Sequence, residues 1–432
     1  MIKSILLPLT ILTTAMSLTA SAQGIWTTVQ GNSAHTGFVN IKTNPANFHV
    51  LWSKQLYINR QTVDNGAQLA SAVVTSDKLA YFDISYYYRV PARNSEKTGE
   101  RLLMAIEQNT GNTSWILKRD PTMNFTSIAY DNDKILSFRT IYDNVGVDVI
   151  RPDTGQIDFT IPVENADYQY NGLLADHNKI YPSFNRLHIG KLYSMDASTG
   201  KIDWVSQMSN DTSYTDKTPV ATPDYIVYNQ YNGISVYDRQ TGQFKFDITN
   251  PDYYGTSLPM FLLSTPIYDA ANNAIYEGYR YVPNGQWFLA AFDLTNKKIK
   301  WTTPIENGND GYPALAGNDI YIVAHAKGDD GELQTLDPAT GNIKWSWHPD
   351  TEDNLRRFSY PIVTADLIFI QSYKYIYAIS RQTHQKVWEY ASTGNMAIGN
   401  NILFITDRTS RKVPDSDYYA NTGIMVTAIA LA

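Results

Sequence analysis

The side chains that most often do chemistry are sparse here and do not fall into catalytic spacings. Seven histidines occur, His35, His49, His177, His188, His325, His348 and His384. None forms a His-x-x-x-His or His-Glu-x-x-His pair, the spacing that sets two imidazoles on one helix face around zinc. The chain has no Cys, so thiolate nucleophiles, disulfides and Cys-ligated zinc or iron–sulfur centres are excluded. No Gly-x-Ser-x-Gly elbow occurs. Acidic residues cluster at Asp131-Asn132-Asp133, Asp329-Asp330-Gly331-Glu332 and Asp350-Thr351-Glu352-Asp353. Calcium needs 6–8 oxygen ligands from a folded loop, and none of these runs has the twelve-residue EF-hand spacing. Asp329, Asp330 and Glu332 stay as the candidate cation ligands, and no metal is expected. Carboxylates or a histidine brought together only by folding stay open, so a polysaccharide hydrolase or lyase is a further alternative.

Composition narrows the classes. The 432 residues carry 42 acidic and 35 basic side chains, a formal charge of −7. With no basic run and a negative balance, a nucleic-acid partner is not expected. Aromatics make up 13% and charged residues only 18%, which is a folded rather than a disordered composition. The chain opens MIKSILLPLTILTTAMSLTASAQG. Lys3, the apolar stretch to Met16 and Ala20-Ser21-Ala22 fit a signal peptide cut after Ala22. That stretch is too short to span a membrane comfortably. The expected product is exported, periplasmic or secreted, with no membrane span and with stability drawn from packing alone.

The elements that must position any site are announced by a repeat. The phrase apolar-Asp-x-x-Thr-Gly-x-apolar-x-Trp recurs at 106–115, 150–159, 195–204, 237–246, 292–301, 336–345 and 379–388. Alternating residues before the Asp predict a strand, Asp and Gly supply the turn, and the next strand carries a large aromatic. An eighth copy is split between FHVLWSKQL at 48–56 and GIMVTAIALA at 423–432. The marker aromatics are Trp52, Trp115, Phe159, Trp204, Phe246, Trp301, Trp345 and Trp388, spaced 42 to 63 residues apart. A second hairpin with an Asp- and Asn-rich turn separates each pair of phrases. Two hairpins per unit, eight times over, predict an all-β, eight-bladed β-propeller of four-stranded antiparallel blades. The N-terminal strand closes the last blade, tying first to last and hiding an edge. The expected organisation is a signal peptide at 1–22, a lead-in segment at 23–47 and one propeller domain at 48–432.

The repeat resembles the pyrroloquinoline-quinone-like repeat of the quinoprotein propeller superfamily, with its tryptophan-docking motif Ala-x-Asp-x-x-x-Gly-x-x-x-Trp. The match is strongest at 195–204 and 336–345 and weakens where Asn296 and His384 replace the Gly. WTTVQGNSAHTGF at 26–38 is similar to the lead-in of such propellers. The resemblance implies that the eight marker aromatics are structural and pack between blades. It also implies two functional branches. One holds quinone- and calcium-dependent alcohol or sugar dehydrogenases, whose vicinal Cys pair is absent here. The other is non-catalytic and includes the BamB-like subunit of the outer-membrane assembly machinery, whose lipid-bearing Cys is also absent. The non-catalytic branch is the expectation, with no cofactor; pyrroloquinoline quinone with Ca²⁺ is the alternative.

Insertions beyond the minimal repeat fall mainly at Asp83–Glu100, Tyr279–Gln286, His325–Gly331 and Asp407–Asn421, with inter-blade loops around 208–217, 250–260 and 348–358. Strand direction puts them on one face, opposite the Thr-Gly turns. They are rich in Tyr86, Tyr87, Tyr88, Arg89, Tyr253, Tyr254, Tyr279, Arg280, Tyr281, Arg356, Arg357, Tyr418 and Tyr419. Tyr and Arg combine contact area with hydrogen bonding and are favoured at recognition surfaces. These residues are the candidates for binding a protein or glycan partner.

Overall fold

A computed structural model describes residues 24–28, 30–56, 65–69, 73–89, 97–120, 127–141, 144–163, 169–186, 189–208, 218–230, 232–250, 265–281, 286–305, 312–325, 331–349, 353–355, 360–412 and 419–432. The strands form eight antiparallel sheets, one per blade. Blade 2 shows the pattern: Ile128–Asp131 innermost, then Lys134–Ile141, Asn144–Ile150 and Ile157–Val163 outermost. Blades 3 to 7 repeat it in chain order. Blade 8 takes Asn395–Gly399, Ile402–Lys412 and Tyr419–Ala430 from the C-terminus and His49–Gln55 from the N-terminal side. His49 pairs with Ala430 and Gln55 with Met425, so the split eighth phrase is rejoined in space. Among the described residues, helix is confined to one 3-10 turn, Pro45–Asn47.

The phrase explains how blades grip one another. The aromatic of one blade lies over the turn of the next. Trp52 donates its indole N–H to the Gln108 carbonyl at 2.8 Å, and Trp115 to Pro152 at 2.8 Å. Trp204 reaches Arg239 at 3.1 Å, and Trp301 reaches Pro338 at 3.0 Å. Each ring takes the space a Cβ on the turn glycine would fill. The two departures from Gly keep the contact by other means, and the first of them is Lys297 rather than Asn296, since it is Lys297 that takes the left-handed turn position. Lys297, with φ +54°, holds its ammonium 4.8 Å from the Phe246 ring centroid. His384, with φ +58°, stacks on Trp345 at 4.1 Å. In the rejoined blade Phe48 meets Trp388 edge-on at 5.3 Å.

The turn Asp anchors the phrase. Asp238 accepts from the backbone N–H groups of Gln240 and Thr241 at 3.0 and 2.9 Å. A second device sits one residue on. Arg239 and Arg381 each bond the tyrosine hydroxyl of the preceding blade, Tyr181 at 3.1 Å and Tyr321 at 3.0 Å. Each also bonds a backbone carbonyl, Thr222 at 2.9 Å and Thr364 at 3.0 Å. The guanidinium fork thus fills the crevice between blades and spends its donors there.

Gly155 tests this packing. Its φ is +71°, and a Cβ there would lie 2.4 Å from the Trp115 ring. Gly155→Ala is expected to cost about 3 kcal/mol, combining left-handed strain with displacement of the indole. Gly317 has φ +63° but nothing within 4 Å of a Cβ, so Gly317→Ala should cost only about 1 kcal/mol. Urea unfolding of the two variants side by side measures the difference; equal losses would show that the indole is not held by the turn.

Candidate functional site

The inner strand of every blade has an unpaired edge facing the ring axis. Exposed edges of this kind must be paired or covered. The segment from Gly24 to Ile41 does this on the side of the Thr-Gly turns. Its carbonyls accept backbone N–H groups in ring order: Gly24 from Asn400 of blade 8 at 2.8 Å, Trp26 from Thr75 at 2.8 Å and Thr27 from Tyr130 at 2.7 Å. Ser33 then accepts from Ala221 at 3.1 Å, Ala34 from Tyr268 at 3.0 Å, Thr36 from Leu315 at 2.7 Å and Gly37 from Val363 at 2.8 Å. Blade 3 is reached by the Ser33 hydroxyl, which donates to Asp176 at 2.7 Å. The segment therefore touches all eight blades and lies across one mouth of the channel as a plug.

Polar groups of the plug are buried. Gln30 donates its amide to the Pro313 carbonyl at 2.8 Å. His35 is fully buried, with Nδ1 3.1 Å from the Pro266 carbonyl. A carbonyl only accepts, so Nδ1 carries the proton and Nε2 is left as an acceptor. The Nε2 of His35 and the Oε1 of Gln30 have no partner among the described residues. Complete burial pushes the His35 pKa down from 6.5 to about 4, against the opposing pull of the Pro266 carbonyl. A base whose folded pKa is depressed contributes stability that is complete above its unfolded pKa and lost as pH falls through 6.5 toward 4. The loss amounts to about 3 kcal/mol at the acid end. His35→Gln should flatten the stability profile between pH 6.5 and 4 relative to the parent chain, measured as urea midpoints. Parallel profiles would overturn this.

The candidate partner-binding residues that are described lie toward the opposite side, and the structure changes their setting. Asp83–Glu100 and Asp407–Asn421 are expected above as loops, but most of each is strand. Leu79–Arg89 pairs continuously with Lys97–Glu107, out to Arg89 opposite Lys97. Ile402–Lys412 pairs with Tyr419–Ala430, out to Lys412 opposite Tyr419. These strands run 11 or 12 residues where their counterparts in other blades run 5 to 8. Blades 1 and 8 therefore project beyond the ring by about 10 Å or more. Asn65–Leu69 adds to the inner edge of the blade 1 hairpin, Asn65 opposite Tyr88, and lies against Tyr419–Ala430.

Tyr86, Tyr87, Tyr88, Arg89 and Tyr419 fall on the far halves of these strands, and Arg280 and Tyr281 end the strand Ala274–Tyr281. Tyr253, Tyr254, Arg356, Arg357 and Tyr418 lie outside the described residues, as do Asp329 and Asp330. Glu332 accepts from the Gln334 amide at 2.6 Å. Tyr279 is corrected. It is only 2% exposed, its hydroxyl donates to buried Glu277 at 3.3 Å, and its ring packs on Phe292 at 5.4 Å. It belongs to the core because the strand continues through it.

Residues absent from the candidate set also matter. Asp83 and Arg101 at the root of the blade 1 hairpin join Arg119, Arg139 and Asp148 in a buried ion network. Tyr312 and Tyr360 stand just ahead of the inner strands of blades 6 and 7, on the side opposite the plug, with rings 5.8 Å apart at 80°. The recurrence of Tyr-Pro ahead of two inner strands was the signal that could have found them. On the turn side, a cavity of about 520 Å³ lies between blades 6 and 7, lined by Pro45, Asp319, Asp366, Leu367 and Arg381 among others. Its charges are already paired: Asp319 with Lys344 at 2.7 Å, and Asp366 with Thr43. Among the described residues no three His, Asp or Glu converge as a cation would need, and no helix is long and apolar enough to cross a membrane.

Known proteins place the fold. Residues 269–429, which span most of blades 5 to 8, match the family model described as outer membrane protein assembly factor BamB. No curated protein matches the chain. Among solved structures, the computationally designed Ika8 protein is similar at 11% identity and a TM-score of 0.55, over 88% of this chain and 100% of that one. The Dos1 propeller is similar at 10% identity and a TM-score of 0.55, over 90% and 96%. The quinohemoprotein alcohol dehydrogenase from Comamonas testosteroni is similar at 11% identity and a TM-score of 0.51, over 94% and 80%. At such identities the likeness is one of fold. The fold is that of an eight-bladed β-propeller, and over residues 269–429 the chain is similar to the family described as outer membrane protein assembly factor BamB.

Proposed function

We propose that the chain is an exported, non-enzymatic scaffold that holds a protein or glycan partner on the face opposite the plug. The observation that carries this reading is the asymmetry of the two faces. One mouth is sealed by a segment bonded to all eight blades, while blades 1 and 8 send paired hairpins out on the other side. Paired strands present a contact surface at lower entropic cost than free loops, because their backbone is already ordered. Residues 90–96 and 413–418, which join these paired strands in sequence, can be replaced by Gly-Ser runs while every strand residue is kept. Cross-linking in the cell envelope should then lose the captured partner while the melting temperature stays put. Capture that survives both replacements sinks the reading. Titration with pyrroloquinoline quinone and Ca²⁺ tests the oxidoreductase alternative: stoichiometric binding with dye reduction in the presence of alcohols or sugars would replace the scaffold by an enzyme.

A further inference from the structure

We infer that the side of the ring opposite the plug holds a sugar ring against Tyr312 and Tyr360, so that the ligand class on this face is a neutral glycan. This rests on the reading of the open face as the functional one.

Four successive inner strands are preceded by Thr218-Pro219, Thr265-Pro266, Tyr312-Pro313 and Tyr360-Pro361. The residue before the proline thus occupies equivalent positions in blades 4 to 7. Two neighbouring blades place tyrosine there and two place threonine, so the aromatics form an arc on one side. Tyr312 and Tyr360 are each half-buried by area, with the Tyr360 hydroxyl at the buried end, where desolvation pushes its pKa up. Tyr360 donates to the Met396 carbonyl of blade 8 at 3.4 Å, extending the arc across three blades. Asn395, the first residue of the blade 8 inner strand, is exposed beside it.

The plug lies directly beneath the arc. A Cβ on Gly37 would meet Ala314 at 2.9 Å and the Pro361 carbonyl at 3.1 Å. Gln30 bonds the carbonyl of Pro313, the residue after Tyr312. Its Oε1, with the Nε2 of His35, is a buried acceptor without a partner among the described residues. Such acceptors are ordinarily met by a ligand hydroxyl or an ordered water.

The chemistry of the arc selects the ligand. A flat aromatic cofactor is best held between parallel faces, whereas these rings stand at 80° and offer one face and one edge. A pyranose has an apolar C–H face for the negative face of one ring and hydroxyls around its rim. Among the described residues, the equivalent positions Thr218 and Thr265, with Asn395 and Gln30, are neutral hydroxyl and amide groups, which suit hydroxyls and carry no counter-charge for an anion.

The test is saturation-transfer NMR on residues 23–432, with glucose, galactose, mannose, N-acetylglucosamine and their disaccharides as probes. Transfer to ring C–H protons of at least one probe is expected. Tyr312→Ala should weaken that binding about tenfold, as loss of one aromatic contact implies. Tyr312→Trp and Tyr360→Phe should keep it. The melting temperature of each variant shows that the ring is intact. Absence of transfer from every probe, or transfer that survives Tyr312→Ala, overturns the inference. The chain with 90–96 and 413–418 replaced should still bind the probe. Failure of sugar binding is thereby separated from failure of partner capture.

Discussion

Trp26→Ala is expected to cost about 3–5 kcal/mol, as large as any single core truncation, although Trp26 lies in a segment ahead of the first blade. Its ring is 1% exposed, and its backbone is bonded both ways to Thr75, N–H to hydroxyl and carbonyl to N–H, each at 2.8 Å. It shares one apolar cluster with Val39, Ile41 and the cores of blades 7, 8 and 1, which is where the ring closes. Deleting residues 24–41 goes further. It exposes seven N–H groups, six on inner strands and that of Asn400 in the turn after the blade 8 inner strand. Water entering the channel would hydrate them, so each lost bond costs only about 1 kcal/mol. Added to the lost burial, the sum is comparable with the whole stability of a typical domain, about 5–15 kcal/mol. The shortened chain should therefore fail to unfold cooperatively in urea, and Trp26→Ala should shift the midpoint without changing the slope. A shift worth less than about 1 kcal/mol would mean that the plug does not carry ring closure.

Much of this architecture is legible in the residues. The Asp-x-x-Thr-Gly turn and the following aromatic are a local code: Gly155 needs φ > 0, Asp238 needs two nearby N–H groups, and Trp115 needs a flat turn beneath it. Eight copies of a local code give eight blades, and the split copy gives the closure. What was not legible is non-local. Excess length over the minimal repeat cannot tell a loop from a longer hairpin, so Asp83–Glu100 and Asp407–Asn421 read as insertions when most of them is paired strand. Tyr279 followed the same error, since nothing in Glu-Gly-Tyr-Arg-Tyr announces that the strand runs on and that Glu277 beneath it is buried. The lead-in was recognised as a likeness, but its path across eight inner edges is a property of the ring. The same holds for the buried charges, which look like ordinary isolated charges within strands.

Those charges carry the second large effect. Arg119→Met is expected to destabilise the chain by about 2–3 kcal/mol, because it removes the buried fork that bridges Asp83 and Asp148 and leaves each carboxylate with one longer cation contact, to Arg101 or Arg139. The Arg119 side chain is 3% exposed and stands between blades 1 and 2, 3.3 Å from Asp83 and 3.9 Å from Asp148, with a further bond to the Phe138 carbonyl at 3.2 Å. Burial works to lower its pKa and Asp83 beside it works the other way. Arg101 approaches Asp83 at 3.5 Å, Arg139 approaches Asp148 at 3.8 Å, and the Thr160 hydroxyl donates to Asp148 at 2.6 Å. Arg101 sits opposite both Ser85 and Arg119 in the sheet, at the root of the projecting hairpin. An apolar seam there would be at least as stable, since desolvation consumes most of the Coulomb gain. What the ions add, as a hypothesis, is direction: a planar fork fixes the lean of one blade on the next more narrowly than alkyl packing does. Arg119→Lys separates the two roles. It keeps the charge but loses the fork, so it should recover part of the stability while hydrogen exchange in 79–107 stays faster than in the parent chain and partner capture stays weak. If Lys restores both exchange protection and capture, the network is a charge balance and not a device for aiming the hairpin.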